Sequence, residues 1–247
     1  MSVRLSSFLP ILFAVSTHIC TAQTALMVAA AADLSPAEPL LQQTFEKTNP
    51  IRLRWVTGAS ATLAQQIAHA APYDVFLSAN AQFVDELAAK RKIEPLSVRA
   101  YAAGQVGLLW KDGKSHDINE LTANWVRFVA LPNPQLAPYG LAARQALEHA
   151  GIWKAVQPKV VYGENVRQAL QLFESGNADA VLTSHSLLQG KPAQIIPAAW
   201  HDPIVQKAGI IAGTRNREAA QQFLDFLLSP AAQPILAKFG FGPAKGI

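Results

Sequence analysis

From Leu26 onward, short uninterrupted apolar runs alternate with longer segments whose apolar positions recur at helical spacing. Residues 26–32 are apolar throughout, the pattern of a strand covered on both faces. Asp33-Leu34 follows, then Ser35-Pro36-Ala37-Glu38, which reads as a capping box with proline at the first position of a helix through Lys47. A second strand is predicted over 51–56. It ends in Thr57-Gly58-Ala59-Ser60, with Ser60 at the N-cap position of a helix over 61–70. Ala71-Pro72-Tyr73 turns the chain into a strand over 74–77, and 81–90 is the next helix. The pattern restarts with a strand over 106–110. Phe128-Val129-Ala130-Leu131 is a further apolar run, leading through the turn Pro138-Tyr139-Gly140 into an Ala/Leu-rich helix that ends near Gly151. Residues 159–162 read as a strand, Gly163-Glu164 as a turn, 165–174 as an amphipathic helix stopped by Gly176, and 178–183 as a strand. Ile210-Ile211 is the candidate for the chain's return to the first lobe. Two tail helices, 217–228 and 231–238, are divided by Ser229-Pro230.

Strands alternating with helices imply parallel βαβ units, and open sheets of this kind bind ligands beyond the carboxyl ends of their strands. Two such runs in 247 residues predict two α/β lobes facing one cleft. Residues 23–102 plus 208–247 would form the first lobe and 103–207 the second.

Half the residues are apolar and 15% are charged, which excludes a disordered chain. The net charge is +4, with the basic residues scattered and no basic cluster interleaved with aromatics, so nucleic acid is not an expected partner. Residues 1–22 read as an export signal. Arg4 supplies the positive start, 8–15 a short apolar core, and Cys20-Thr21-Ala22 a small-residue cleavage site. Ile19 before Cys20 argues for plain cleavage after Ala22 and against lipidation. Cys20 is the only cysteine, so the mature chain would hold no disulfide and no thiolate. A soluble periplasmic protein is expected.

Four strand-to-helix turns carry the candidate chemistry: Ala32-Asp33, Ser60, Tyr139 and Asn165-Val166. Each presents first-turn N–H groups, which have no partner inside their helix and which the helix dipole makes attractive to an anion. Ser60 and Tyr139 add hydroxyls. No lysine or arginine sits in these turns, although Arg167 follows Val166. An oxyanion would be held by neutral donors in a desolvated cavity, with selectivity set by cavity size and donor count. The plainer readings are an ordinary strand–helix loop with a packing tyrosine at 139 and a simple N-cap at Ser60. His185 and His201 read as solvated or capping residues, Asp74 and Glu164 as holders of turns and helix starts, and the five tryptophans as core or interface. No nucleophile elbow and no metal-ligand spacing is present.

Five motifs carry a resemblance to a known family. They are Val28-Ala-Ala-Ala-Ala-Asp-Leu34, Thr57-Gly-Ala-Ser-Ala-Thr-Leu63, Ala71-Pro-Tyr-Asp-Val-Phe-Leu77, Ala137-Pro-Tyr-Gly-Leu-Ala142 and Glu164-Asn-Val-Arg-Gln-Ala-Leu170. In order and spacing the chain resembles the periplasmic molybdate-binding proteins of ABC importers, in the branch with a tyrosine at the position of Tyr139. The resemblance covers essentially the whole mature chain. It implies a type 2 periplasmic-binding-protein fold, each lobe a mixed, mainly parallel sheet flanked by helices. It also implies capture of molybdate, and tungstate with it, by a monomer that delivers the ion to a membrane ABC permease, with no catalysis and no cofactor. Molybdenum would be bound only as its oxyanion, without a side chain on the metal. Carried over, the ligand set is Ala32, Asp33, Ser60, Tyr139 and Val166, with Asn165 and Ser184 as weaker candidates.

Asp33 departs from the family pattern, which has serine or asparagine there. A carboxylate beside a dianion is repelled by roughly 4 kcal/mol per unit-charge pair near a protein surface. Three arrangements answer this: Asp33 rotates away and leaves the N–H groups of Ala32 and Asp33 in contact, it binds protonated, or it marks a different ligand. The rival functions are the same fold taking sulfate, phosphate or a small carboxylate, and an exported enzyme pairing Asp33 with a histidine.

Overall fold

The structure, a computed structural model, describes residues 24–244; the proposed export signal, with Cys20 and the cleavage site after Ala22, lies outside them. The described residues form two five-stranded sheets. In the first, β1 (Thr24–Ala31) is an inner strand, parallel to β2 (Ile51–Gly58) on one side and to β3 (Val75–Ser78) on the other. The order is β2-β1-β3-β10-β4. The edge strand β4 (Arg99–Gly104) pairs antiparallel with β10 (Ile204–Ile210), and β10 pairs antiparallel with β3. The second sheet repeats the plan in the order β7-β6-β8-β5-β9. There β6 (Val129–Pro132) is parallel to β7 (Val160–Gly163) and β8 (Ala180–Ser184), while β5 (Val106–Trp110) is antiparallel to β8 and β9 (Gln194–Ile195). Both sheets are mixed, and the parallel pairings belong to the strands whose carboxyl ends lead into the cleft.

The helices are α1 (Glu38–Glu46), α2 (Ser60–Ala68), α3 (Ala81–Ala89), α4 (Pro138–His149), α5 (Trp153–Val156), α6 (Val166–Glu174), α7 (Arg217–Leu227) and α8 (Gln233–Lys238). Alternation along β1 sorts its side chains between two layers. Leu26, Val28 and Ala30 join Leu41 and Phe45 of α1 and Phe223 and Leu227 of α7 in one cluster. Ala29 faces the other way, onto Leu63 and Ile67 of α2 and Val84 and Leu87 of α3. Phe45 and Phe223 meet edge to face with ring centroids 5.3 Å apart. In the second sheet Val106, Leu108, Val129 and Leu131 pack on Ala142, Ala143, Ala146 and Leu147 of α4, and Leu109, Ala130 and Val181 on Ala169 and Leu170 of α6. Ala31 at the end of β1, with Ala32 and Ala79 after the first sheet's strands, belongs to the same apolar cluster as Tyr139 and Val166, so the two lobes touch.

Several sequence expectations need correction. Ser35 caps no helix: a short 3-10 turn over Ala32–Leu34 intervenes, Ala37 is the N-cap of α1, and the Ser35 hydroxyl donates to the Ala32 carbonyl at 2.9 Å. Glu38 closes no box either; it accepts from the Thr57 hydroxyl at 2.9 Å. Ser60 is the first helical residue of α2, and Ala59, in extended conformation, holds the N-cap. Trp110 is buried, but Trp125 is 47% exposed and covers it from outside, with ring centroids 5.7 Å apart. Asp74 does hold a junction: Oδ2 accepts the Met27 N–H at 2.7 Å, and the Thr214 hydroxyl and Asn216 amide close on the same carboxylate ahead of α7.

Candidate functional site

Four strand ends deliver four helical turns to one cavity, lined by Ala31, Ala32, Asp33, Gly58, Ala59, Ser60, Ala79, Ala137, Pro138, Tyr139, Asn165 and Val166. Its empty volume is about 190 Å³. None of the lining residues is a lysine, arginine or histidine.

Each turn is shaped by local chemistry. Proline at the start of α4 presets the helical φ, leaving Tyr139 as its first residue with an N–H. Gly140 is required there because a Cβ would run into the Pro132 carbonyl. Asn165 caps α6: its Oδ1 accepts from the N–H groups of Arg167 at 3.0 Å and Gln168 at 3.1 Å. That cap spends the Asn165 side chain on its own helix and leaves the Val166 N–H at the cavity wall. The N–H groups of Ser60, Tyr139 and Val166 have no hydrogen-bond partner among the described residues. Ser60 is 2% exposed, and its Oγ accepts from the Ala79 N–H at 3.2 Å, so the hydroxyl hydrogen remains to be given. The neighbouring Ala61 N–H donates to the Leu136 carbonyl at 3.2 Å and ties the first lobe's helix to the second lobe's loop.

Asp33 is the polar hub of the site. It is 1% exposed. Its Oδ2 accepts from the Tyr139 hydroxyl at 2.7 Å and from the Gln206 amide at 2.6 Å. The Tyr101 hydroxyl donates to Gln206 Oε1 at 3.0 Å, and the Ser186 hydroxyl to the Asp33 carbonyl at 2.6 Å. Oδ1 has no partner and is the single buried side-chain oxygen or nitrogen so placed among the described residues. Burial lifts the Asp33 carboxyl from its ordinary 3.8 to about 7, against the lowering effect of the Tyr139 and Gln206 hydrogen bonds and the nearby N–H groups of Asp33 and Leu34. Burial, and then the charge of Asp33, push the Tyr139 and Tyr101 phenols well above their usual range. Both phenols therefore act as donors.

Of the residues singled out in the sequence, Ala32, Asp33, Ser60, Tyr139, Asn165 and Val166 line one cavity. Ser184 stands behind it, its hydroxyl 2.8 Å from that of Ser186. The Tyr139 hydroxyl is directed at Asp33. Gln206, Tyr101 and Ser186 were invisible to sequence reading. Gln206 is fully buried in β10, a burial that only the folded chain shows. Asp33 has no histidine beside it at the cavity wall, and no group of His, Cys, Asp and Glu among the described residues could hold a metal ion.

Two α/β lobes whose helix starts converge on a small buried cavity make a protein that surrounds a ligand and holds it. The chain belongs to the bacterial extracellular solute-binding proteins, a family whose pattern it matches over residues 26–242. It is 30% identical over 233 residues to the molybdate-binding protein ModA of Azotobacter vinelandii, covering 90% of this chain and 92% of that one. To ModA of Rhodobacter capsulatus it is 30% identical over 211 residues, covering 83% of each. The solved Azotobacter vinelandii periplasmic molybdate-binding protein superposes with a TM-score of 0.83 at 30% identity, over 87% of this chain and 98% of that one. The chain is thus a solute-binding protein and not an enzyme.

Proposed function

We propose that this protein is a periplasmic receptor that captures molybdate, and tungstate by the same chemistry, and delivers it to an ABC permease in the membrane. The observation that carries the reading is the convergence of three unpartnered N–H groups, from Ser60, Tyr139 and Val166, with the Ser60 hydroxyl on a cavity that no cation lines. Aligned helix starts favour an anion there, and neutral donors in a desolvated cavity suit a fully stripped dianion. Relatives named for molybdate binding support the choice of ion. Ser60 gives both its hydrogens, Tyr139 and Val166 their N–H groups, and Ala32 and Asp33 the N–H groups of the first turn. Lobes divided near 102–103 and 207–208 would close about the crossing strands and seal the ion. No cofactor takes part.

Titration calorimetry on the mature chain from Gln23, with molybdate, tungstate, sulfate and phosphate, tests the reading. Tight binding of the first two is expected. A stronger response to sulfate than to molybdate refutes it.

A further inference from the structure

Asp33 poses a problem that neutral donors do not. A carboxylate lining the cavity has one oxygen held by Tyr139 and Gln206; the other, Oδ1, is buried without a hydrogen bond, although the N–H groups of Asp33 and Leu34 lie near the carboxyl. Leaving a buried oxygen unsatisfied is costly, and placing an ionised one beside a dianion is costlier still. A single proton removes both costs. Held on Oδ1, it turns the unpaired acceptor into a donor on a residue that lines the cavity. We propose, building on the oxyanion reading above, that this receptor captures its oxyanion together with one proton, shared between Asp33 Oδ1 and a ligand oxygen.

The bond balance is simple. The carboxylate gains a proton from water, no bond of the oxyanion breaks, and the O–H of Asp33 donates to one ligand oxygen while Oδ2 keeps its two donors. The surroundings leave no other charge to do this work. Tyr139 from α4 and Tyr101 from β4 face Asp33 as neutral phenols, Gln206 from β10 and Ser186 after β8 are uncharged, and Arg167 on α6 acts on Glu38. His185, beside Ser186, has its own basicity lowered by burial. The carboxyl already titrates near neutrality before any ligand enters, at about 7. The same proton bears on selectivity: sulfate is a weaker proton acceptor than molybdate and gains less from an acid O–H.

The test is calorimetry with sodium molybdate from about pH 6.5 to about pH 9, where molybdate stays a dianion, in buffers of different ionisation enthalpy. The wild-type protein is expected to take up close to one proton per ion in the upper half of this range. Its Kd should rise by up to about tenfold per pH unit once the free carboxyl is ionised. Asp33→Asn, which places an N–H₂ where Oδ1 stands, is expected to bind without proton uptake and with a Kd that no longer follows pH. Tight wild-type binding with no proton uptake and a flat Kd overturns the inference and leaves the oxyanion reading standing. Failure of the wild type to bind molybdate at any pH in the range removes both.

Discussion

Asp33→Asn should also change the ligand-free protein, in a direction fixed by the burial of that carboxyl. A rise from 3.8 to about 7 means the native state binds this proton more tightly than the unfolded chain does. At about 1.4 kcal/mol per pH unit, the ionised native protein then carries a penalty of about 4 kcal/mol. The penalty is absent below the unfolded value of 3.8, grows as pH rises, and is complete above about 7. Asparagine fits the same site: its oxygen can keep the bonds from Tyr139 and Gln206, and its amide nitrogen takes the place of the unpaired Oδ1. It has no charge to desolvate. Urea denaturation of both proteins without ligand, at intervals from about pH 5 to about pH 8.5, isolates the effect, because every other titrating group cancels in the difference. The variant should gain on the wild type by a little under about 3 kcal/mol across that interval, part of the penalty being present already at about pH 5, which for a chain of this size is a Tm difference growing by about 5–11 °C. A difference that stays constant with pH would show that Asp33 titrates as an ordinary carboxylate, and the account of its burial would fail.

Ser60→Ala should weaken molybdate binding by about 1–3 kcal/mol in calorimetry, by leaving a ligand oxygen without its donor, and should lower the melting temperature slightly because the Ala79 N–H loses its acceptor. Tyr139→Phe keeps the N–H at the cavity but removes a donor that favours the charged form of Asp33. The loss of stability with rising pH, complete in the wild type above about 7, should continue to higher pH in the variant, followed by urea denaturation across pH. Gly140→Ala drives a Cβ into the Pro132 carbonyl and should cost about 1–3 kcal/mol in the same assay, with the start of α4 displaced.

Features that depend on near neighbours could be read along the chain. The uninterrupted apolar run at the start became β1, with side chains committed to two cores. Asn165 before an amphipathic segment became a working cap. Serine misled twice for one reason: a hydroxyl at a helix start looks like a cap whichever way it turns. At Ser60 the extended residue is Ala59, and the hydroxyl reaches instead for Ala79, which the third strand brings alongside. At Ser35 the tight turn after β1 claims the hydroxyl first. The Asp33 hub was out of reach because its partners come from strands with weak signals. Residues 99–104 lack alternation, and β10 pairs with them antiparallel across a register shift at Gln206/Lys207. Only that pairing brings Tyr101 to Gln206, and both to an aspartate more than sixty residues away.

The acidity of Asp33 is a property of the assembled lobes, not of the turn it sits in. The turn after β1 supplies the residue, α4 of the other lobe supplies Tyr139, the turn after β8 supplies Ser186, and β10, which carries the chain back to the first sheet, supplies Gln206. Desolvation is the largest influence on the carboxyl, and it exists only while those pieces are together. Gly104, where β4 ends and the chain leaves the first sheet, has no room for a Cβ beside the Tyr139 ring, so the crossing strand packs directly against the phenol that Asp33 accepts from. Donors made of amides and alcohols cannot distinguish one pH from another. A carboxyl buried by lobe contact can, and water admitted between the lobes would return it toward the ordinary carboxylate range. Closure, proton uptake and ion capture would then be linked through one side chain, each favouring the other two.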